Sequence, residues 1–170
     1  MNLLDYIRDV PDFPIPGVLF KDLTPLMADP AALEDSMDRL VEPFRGESID
    51  LVAGMEARGF IFGALAAKEL TCGFVPLRKP GKLPRATEAV SYDLEYGNAT
   101  LEAHRDAFNG KRRVLVVDDV LATGGTAAAA LQLVEKLGGS VVGCAFLLEL
   151  AFLDGRVRLP GRRIHSVLSI

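Results

Sequence analysis

The residues best suited to chemistry sit in one run of the sequence. Asp118 and Asp119 are adjacent acids, and Ala122, Thr123, Gly124, Gly125 and Thr126 follow after two apolar residues. Glycines carry no side chain to keep backbone N–H groups away from an anion, and the two threonine hydroxyls add donors. If a helix starts here, its unpaired N–H groups and the positive end of its dipole complete a phosphate cradle without a lysine. Two carboxylates beside a phosphate would repel it. They make sense as acceptors for sugar hydroxyls, or with a cation nearby. A phosphorylated sugar with a vicinal diol satisfies both halves of the run. It is neither a Walker A loop, which has Gly-Lys before the Ser/Thr, nor a GxGxxG dinucleotide fingerprint. The plain structural alternative is a tight strand-to-helix turn with a capping threonine.

The flanking pattern can hold such a run in place. Residues 114–117 are apolar and β-branched, and the spacing predicts a helix over 127–137, closed by Gly138-Gly139. In a parallel α/β sheet, ligands bind beyond the carboxyl ends of the strands, where this loop would open. Further strands are expected at 49–53, 73–77, 141–148 and 164–170, and a buried helix at 60–70. A short helix is expected at 3–10, before Pro11, Pro14 and Pro16 interrupt regular structure. Asp29-Pro30 reads as an N-cap with proline in the first turn. Leu33, Met37, Leu40, Val41 and Phe44 then follow at helical spacing. Alternating helices and strands predict an α/β domain with a mainly parallel sheet, one domain over 1–170. The stretch 78–106, with Pro80, Gly81, Pro84 and Gly97, is long and irregular, with hairpin arms expected at 89–94 and 99–103. It is either an active-site lid or a solvated excursion.

Composition narrows the function classes. Of 170 residues, 49% are hydrophobic and 25% charged, which suits a globular protein with a sizeable core. The net charge of −4 argues against general nucleic-acid binding. No apolar run reaches membrane-spanning length, and Met1-Asn2-Leu3-Leu4-Asp5-Tyr6 does not begin like a signal peptide. Cys72 and Cys144 are far apart and suggest neither a zinc site nor a disulfide. They are expected to be buried small hydrophobes in a reducing compartment. His104 and His165 are isolated and expected to be structural or surface residues.

The run 114–126 closely resembles the 5-phosphoribosyl-1-pyrophosphate (PRPP) motif of the type I phosphoribosyltransferases. Three further stretches resemble the adenine-using branch of that family, in its order. They are Pro11-Asp12-Phe13-Pro14-Ile15-Pro16-Gly17-Val18-Leu19-Phe20, then Glu56-Ala57-Arg58-Gly59-Phe60, then Arg78-Lys79-Pro80-Gly81-Lys82-Leu83-Pro84 with Ser91-Tyr92-Asp93-Leu94-Glu95-Tyr96-Gly97. The resemblance implies the type I phosphoribosyltransferase fold, a mainly parallel sheet flanked by helices, with an N-terminal hood over about 1–35 and a mobile lid over about 78–106. It implies that Ala122, Thr123, Gly124, Gly125 and Thr126 hold the 5-phosphate, and that Asp118 and Asp119 contact the ribose hydroxyls. Leu19, Phe20, Lys21 and Arg58 would line the adenine pocket, with Phe20 stacked on the purine.

By the same resemblance, Arg78, Lys79 and Lys82 would meet the pyrophosphate leaving group. Glu95 would act on the adenine ring as a proton donor or hydrogen-bonding group near N7, and Tyr96 would help cover the site. The implied reaction is adenine plus PRPP giving AMP and pyrophosphate. Magnesium is expected, carried mainly by PRPP and pyrophosphate with no direct protein ligand. A cytoplasmic homodimer is implied, with no nucleic-acid or membrane partner. Two alternatives stay open: the same reaction on hypoxanthine or guanine, and a non-catalytic PRPP-sensing regulator.

Overall fold

Three prolines in six residues keep the start of the chain out of long helices, and neighbouring backbone pairs instead. The computed structural model describes residues 1–93 and 97–170. Leu3–Tyr6 form a single 3-10 turn, after which β1 (Arg8–Pro11) pairs antiparallel with β2 (Leu19–Asp22). The helix expected over 3–10 is therefore cut short, because β2 claims the backbone groups of its second half. A short α1 (Thr24–Ala28) leads to α2 (Pro30–Val41). Asp29 begins α2 as its residue type predicts, its Oδ1 accepting the Ala32 N–H at 2.9 Å. Residues 1–39 form one compact unit and 40–170 a second.

The larger unit is built on a five-stranded sheet. It contains β3 (Leu51–Met55), β4 (Gly73–Leu77), β7 (Arg113–Leu121), β8 (Ser140–Glu149) and β9 (Ile164–Ser169), in the order β4-β3-β7-β8-β9. Between β4 and β7 the chain makes an antiparallel hairpin, β5 (Thr87–Asp93) and β6 (Asn98–His104). Every pairing in the main sheet is parallel. The chain runs outward from β3 to β4, then returns to β7 and continues the other way. The direction thus reverses between β3 and β7, and such a switch point opens a crevice at the carboxyl ends of the strands.

Helix α3 (Gly59–Glu69) follows β3 and α4 (Gly125–Lys136) follows β7. The buried face of α3 is Gly59, Phe62, Gly63, Ala66 and Ala67, the spacing of an inward helical stripe. The hairpin packs on α4, sharing a core in which Leu101 and Ala103 join Ala127, Ala130, Leu131 and Val134. Cys144 is buried as expected, whereas Cys72 is only partly so, and both are free. Burial pushes the Cys144 thiol up to about 12, so it stays protonated. Among the described residues, no helix is long and apolar enough to cross a membrane.

Candidate active site

Sequence pattern placed the end of β7 at residue 117, but the strand runs on to Leu121. The reason is unequal strand length. β7 pairs with β3 only as far as Gly54↔Val117, whereas β8 accompanies it to Leu121↔Glu149. Asp118 and Asp119 are therefore still on a rigid strand, yet they project beyond the end of β3. The space they enter is occupied by the turn Met55-Glu56-Ala57-Arg58 at the switch point. The Glu56-Ala57 peptide in this turn is cis.

That register brings Arg58 to the diacid. Its Nε pairs with Asp119 Oδ2, and the Asp119 side chain is only 10% exposed. The cation that the two acids called for is thus supplied by the chain itself. Asp118 has no such relief. Its Oδ1 accepts the Asp119 N–H at 2.9 Å and lies against Gly59, where a Cβ would collide with it. Burial, and next the charge of Asp119, push the Asp118 carboxyl well above the ordinary carboxylate range.

The turn between β7 and α4 is short. After Leu121 only residues 122–124 intervene before α4 begins at Gly125. Gly124 has φ +83°, and its Cα faces the carbonyl of Gly155 too closely for any side chain. Its own carbonyl accepts the Ala128 N–H at 2.9 Å, the first hydrogen bond of α4. A pocket of about 70 Å³ lies in this turn, lined by Asp118 and residues 120–127. Thr123 is exposed at its mouth, while Thr126 Oγ1 sits 3.2 Å from the Tyr92 hydroxyl of β5. The N-terminal N–H groups of α4 and two threonine hydroxyls therefore surround a space of anion size.

A second cavity of about 420 Å³ adjoins the first. Its walls include Glu56, Lys79, Pro80, Tyr92, Thr100 and Thr126. Here the expected pyrophosphate group divides. Arg78 donates from Nε to Glu56 Oε1 at 3.1 Å and from Nη1 to the Lys82 carbonyl at 3.2 Å. Its guanidinium also lies 5.7 Å from the Phe60 ring centre. Lys79 gives its backbone N–H to the same Glu56 oxygen at 2.9 Å, leaving its ammonium exposed, as is Lys82. Burial opposes charge on Glu56, but the Lys79 N–H and the Arg78 guanidinium outweigh it and hold the carboxyl below its ordinary range. Arg78 is therefore largely committed to Glu56, and among the described residues lining this cavity the exposed cation is Lys79.

Leu19, Phe20 and Lys21 lie on β2 of the N-terminal unit. Leu19 is half exposed, Phe20 meets Phe13 edge-on with ring centres 5.1 Å apart, and Lys21 Nζ contacts Asp9 at 2.6 Å. Glu95 and Tyr96 lie outside the described residues. Residue types had drawn no separate notice to Glu56, Tyr92 or Gly155. Glu56 was signalled only as a member of the turn motif. Gly155 had no local signal, because what it touches is 31 residues away in sequence, at Gly124.

Comparison with known proteins points to one family. A family model described as the phosphoribosyl transferase domain matches residues 27–158. An adenine phosphoribosyltransferase of Methylococcus capsulatus is 64% identical over 162 residues, covering 95% of each chain. The crystal structure of the adenine phosphoribosyltransferase of Rhodothermus marinus has a TM-score of 0.95 at 54% identity, covering 99% of this chain and 96% of that one. A Giardia lamblia relative, crystallised with 9-deazaadenine, has a TM-score of 0.93 at 37% identity, covering 100% and 98%. At identity of this order, spread over almost the whole of each partner, the chain belongs to the adenine phosphoribosyltransferase family.

Proposed function

We propose that this protein transfers the phosphoribosyl group of PRPP to adenine, releasing AMP and pyrophosphate. The observation that carries the proposal is the pairing of Arg58 with a diacid directly upstream of a lysine-free phosphate turn. Residues 122–126 take the 5-phosphate, and Asp118 and Asp119 accept the ribose hydroxyls. Lys79 and Lys82, with Arg78 behind them, face charge that builds on pyrophosphate as the bond to the anomeric carbon breaks. A ring nitrogen of adenine then forms the new bond to that carbon. Leu19, Phe20, Lys21 and Arg58 receive the base; adenine as that base is supported by the Giardia lamblia relative's complex with 9-deazaadenine. Glu95 holds or donates a proton near N7, and Tyr96 helps keep water out, which protects the sugar from hydrolysis.

Residues 1–35 serve as a hood and 78–106 as a lid that closes over the substrates. Magnesium, when bound, neutralises the pyrophosphate oxygens. Two carboxylates near the site are already engaged by cationic residues, Glu56 by Arg78 and Lys79 and Asp119 by Arg58. That donor set suits a metal carried in by substrate and water. The proposed setting is the cytoplasm and the proposed state a homodimer, which sedimentation at working concentration tests directly.

The deciding experiment is turnover with PRPP and each purine base in turn. AMP from adenine alone is expected. Product from hypoxanthine or guanine instead would move the assignment to another purine. Tight PRPP binding without turnover on any base would make the protein a sensor.

A further inference from the structure

Arg158 stands at the phosphate turn without a counter-charge. It ends the 3-10 turn Gly155–Arg158, whose first residue presses its carbonyl on Gly124. The Cβ of Arg158 lies 3.2 Å from the point that a Cβ on Gly124 would take. Its Nη1 lies 3.6 Å from the matching point on Gly125, the first residue of α4. A guanidinium thus sits at a helix N-terminus, which already carries roughly half a positive charge and disfavours cations. The other arginines of this region are all answered. Arg156 meets Glu149 at 2.6 Å, Arg162 meets Glu135 at 2.6 Å, and Arg163 meets Glu47 at 2.7 Å. Arg158 alone of these has no hydrogen bond or ion pair among the described residues.

The segment that carries it is not loose. Arg156 grips Glu149 with two donors, Nε at 2.7 Å and Nη2 at 2.6 Å, and Ser166 Oγ adds a third at 2.8 Å. Glu149 is 6% exposed. The Leu150 N–H binds the Leu121 carbonyl at 2.9 Å, tying the end of β8 to the end of β7 just before the turn. The unanswered cation is therefore mounted on a fixed support.

We propose that Arg158 is a further residue of the phosphate site, and that the 5-phosphate dianion of the sugar substrate is its missing counter-charge. The inference rests on the proposed transfer reaction and extends its phosphate subsite by one residue. Arg158 acts through the thickness of the turn, as a positioning charge on the far side of Gly124 and Gly125 from the pocket. A charge carried on a fixed segment stands at the turn before the phosphate arrives, so binding need not bring that segment into place.

The test is calorimetric binding of PRPP and of ribose 5-phosphate to the full chain and to Arg158→Lys, Arg158→Gln and Arg158→Glu, at two ionic strengths. Arg162→Gln, which loses a paired arginine on the same segment, is the control. Affinity should follow charge. Lysine should bind within about twofold of the parent, glutamine roughly three- to tenfold more weakly, and glutamate weaker again by a similar factor. The spread should narrow at high salt, because the group is exposed. Arg162→Gln should bind as the parent does. Equal affinity across the series overturns the proposal. So does a lysine variant as weak as glutamine, which would indicate packing rather than charge. If the parent protein binds neither PRPP nor ribose 5-phosphate, it is the transfer reaction itself that fails, and the two failures are thereby distinct.

Discussion

Asp118 and Asp119 are chemically identical neighbours in very different circumstances. Asp119 meets Arg58, whereas Asp118 is pressed on Gly59 and faces the Asp119 carboxylate, with the Asp119 backbone N–H on its Oδ1. Burial and the adjacent charge raise the Asp118 carboxyl well above its ordinary range. A carboxyl raised in the folded state contributes stability below its unfolded pKa, and that contribution is lost as pH rises through the folded value. Asp118→Asn removes this loss. The substrate-free variant should melt above the parent at neutral pH, by roughly 2–4 °C for each kcal/mol recovered. The difference should vanish below about pH 4, the ordinary range of the carboxyl. PRPP affinity should fall about 10- to 100-fold, the cost of a charged hydrogen bond to a sugar hydroxyl. A variant that binds PRPP normally would place the ribose elsewhere.

At the scale of elements, the turn between β3 and α3 is where the site is assembled. Glu56 fastens it to the end of β4 through Arg78 Nε and the Lys79 N–H. Because these partners lower the Glu56 carboxyl against the opposing effect of burial, the linkage has the opposite sign from Asp118. Its stabilisation is present above the ordinary carboxyl pKa and lost as pH falls through the lowered folded value. Glu56→Gln should therefore melt below the parent at pH 7 and converge with it in acid, below about pH 4. Parallel melting curves at every pH would show that the carboxylate charge is not what holds the turn. The position of this turn was legible from Gly54 to Gly59. Its fastening was not, since β4 pairs with β3 through a register that no local pattern displays.

Across the whole molecule, binding and stability are linked. A ligand that binds only the folded chain stabilises it by about 2.7 kcal/mol at 100 times its Kd. For a protein of this size that is roughly 5–10 °C of melting temperature. PRPP with magnesium should produce such a shift, and a flat melting temperature in saturating PRPP would contradict the proposed phosphate and ribose contacts. The larger unit holds the diacid, the turn before α4 and both cavities, while Leu19, Phe20 and Lys21 belong to the N-terminal unit. The PRPP shift therefore depends on contacts of the larger unit.

Local pattern was sufficient for the α/β class, for most strands and helices, and for the position of the glycine turn before α4. Hydrophobic period, glycine pairs and capping residues all act within a few residues of themselves. It was not sufficient for the continuation of β7 past residue 117, which depends on β8 being longer than β3. Nor did it show that Arg58 answers Asp119, that Arg78 is committed to Glu56, or that Gly155 lies on Gly124. Each of these joins residues more than twenty positions apart, and their separation in space is set by strand order and register. The acids and the glycines of the phosphate turn were determined by the sequence alone. Which charges stand opposite them was decided only when the sheet brought β3, β7 and the C-terminal turn to one edge.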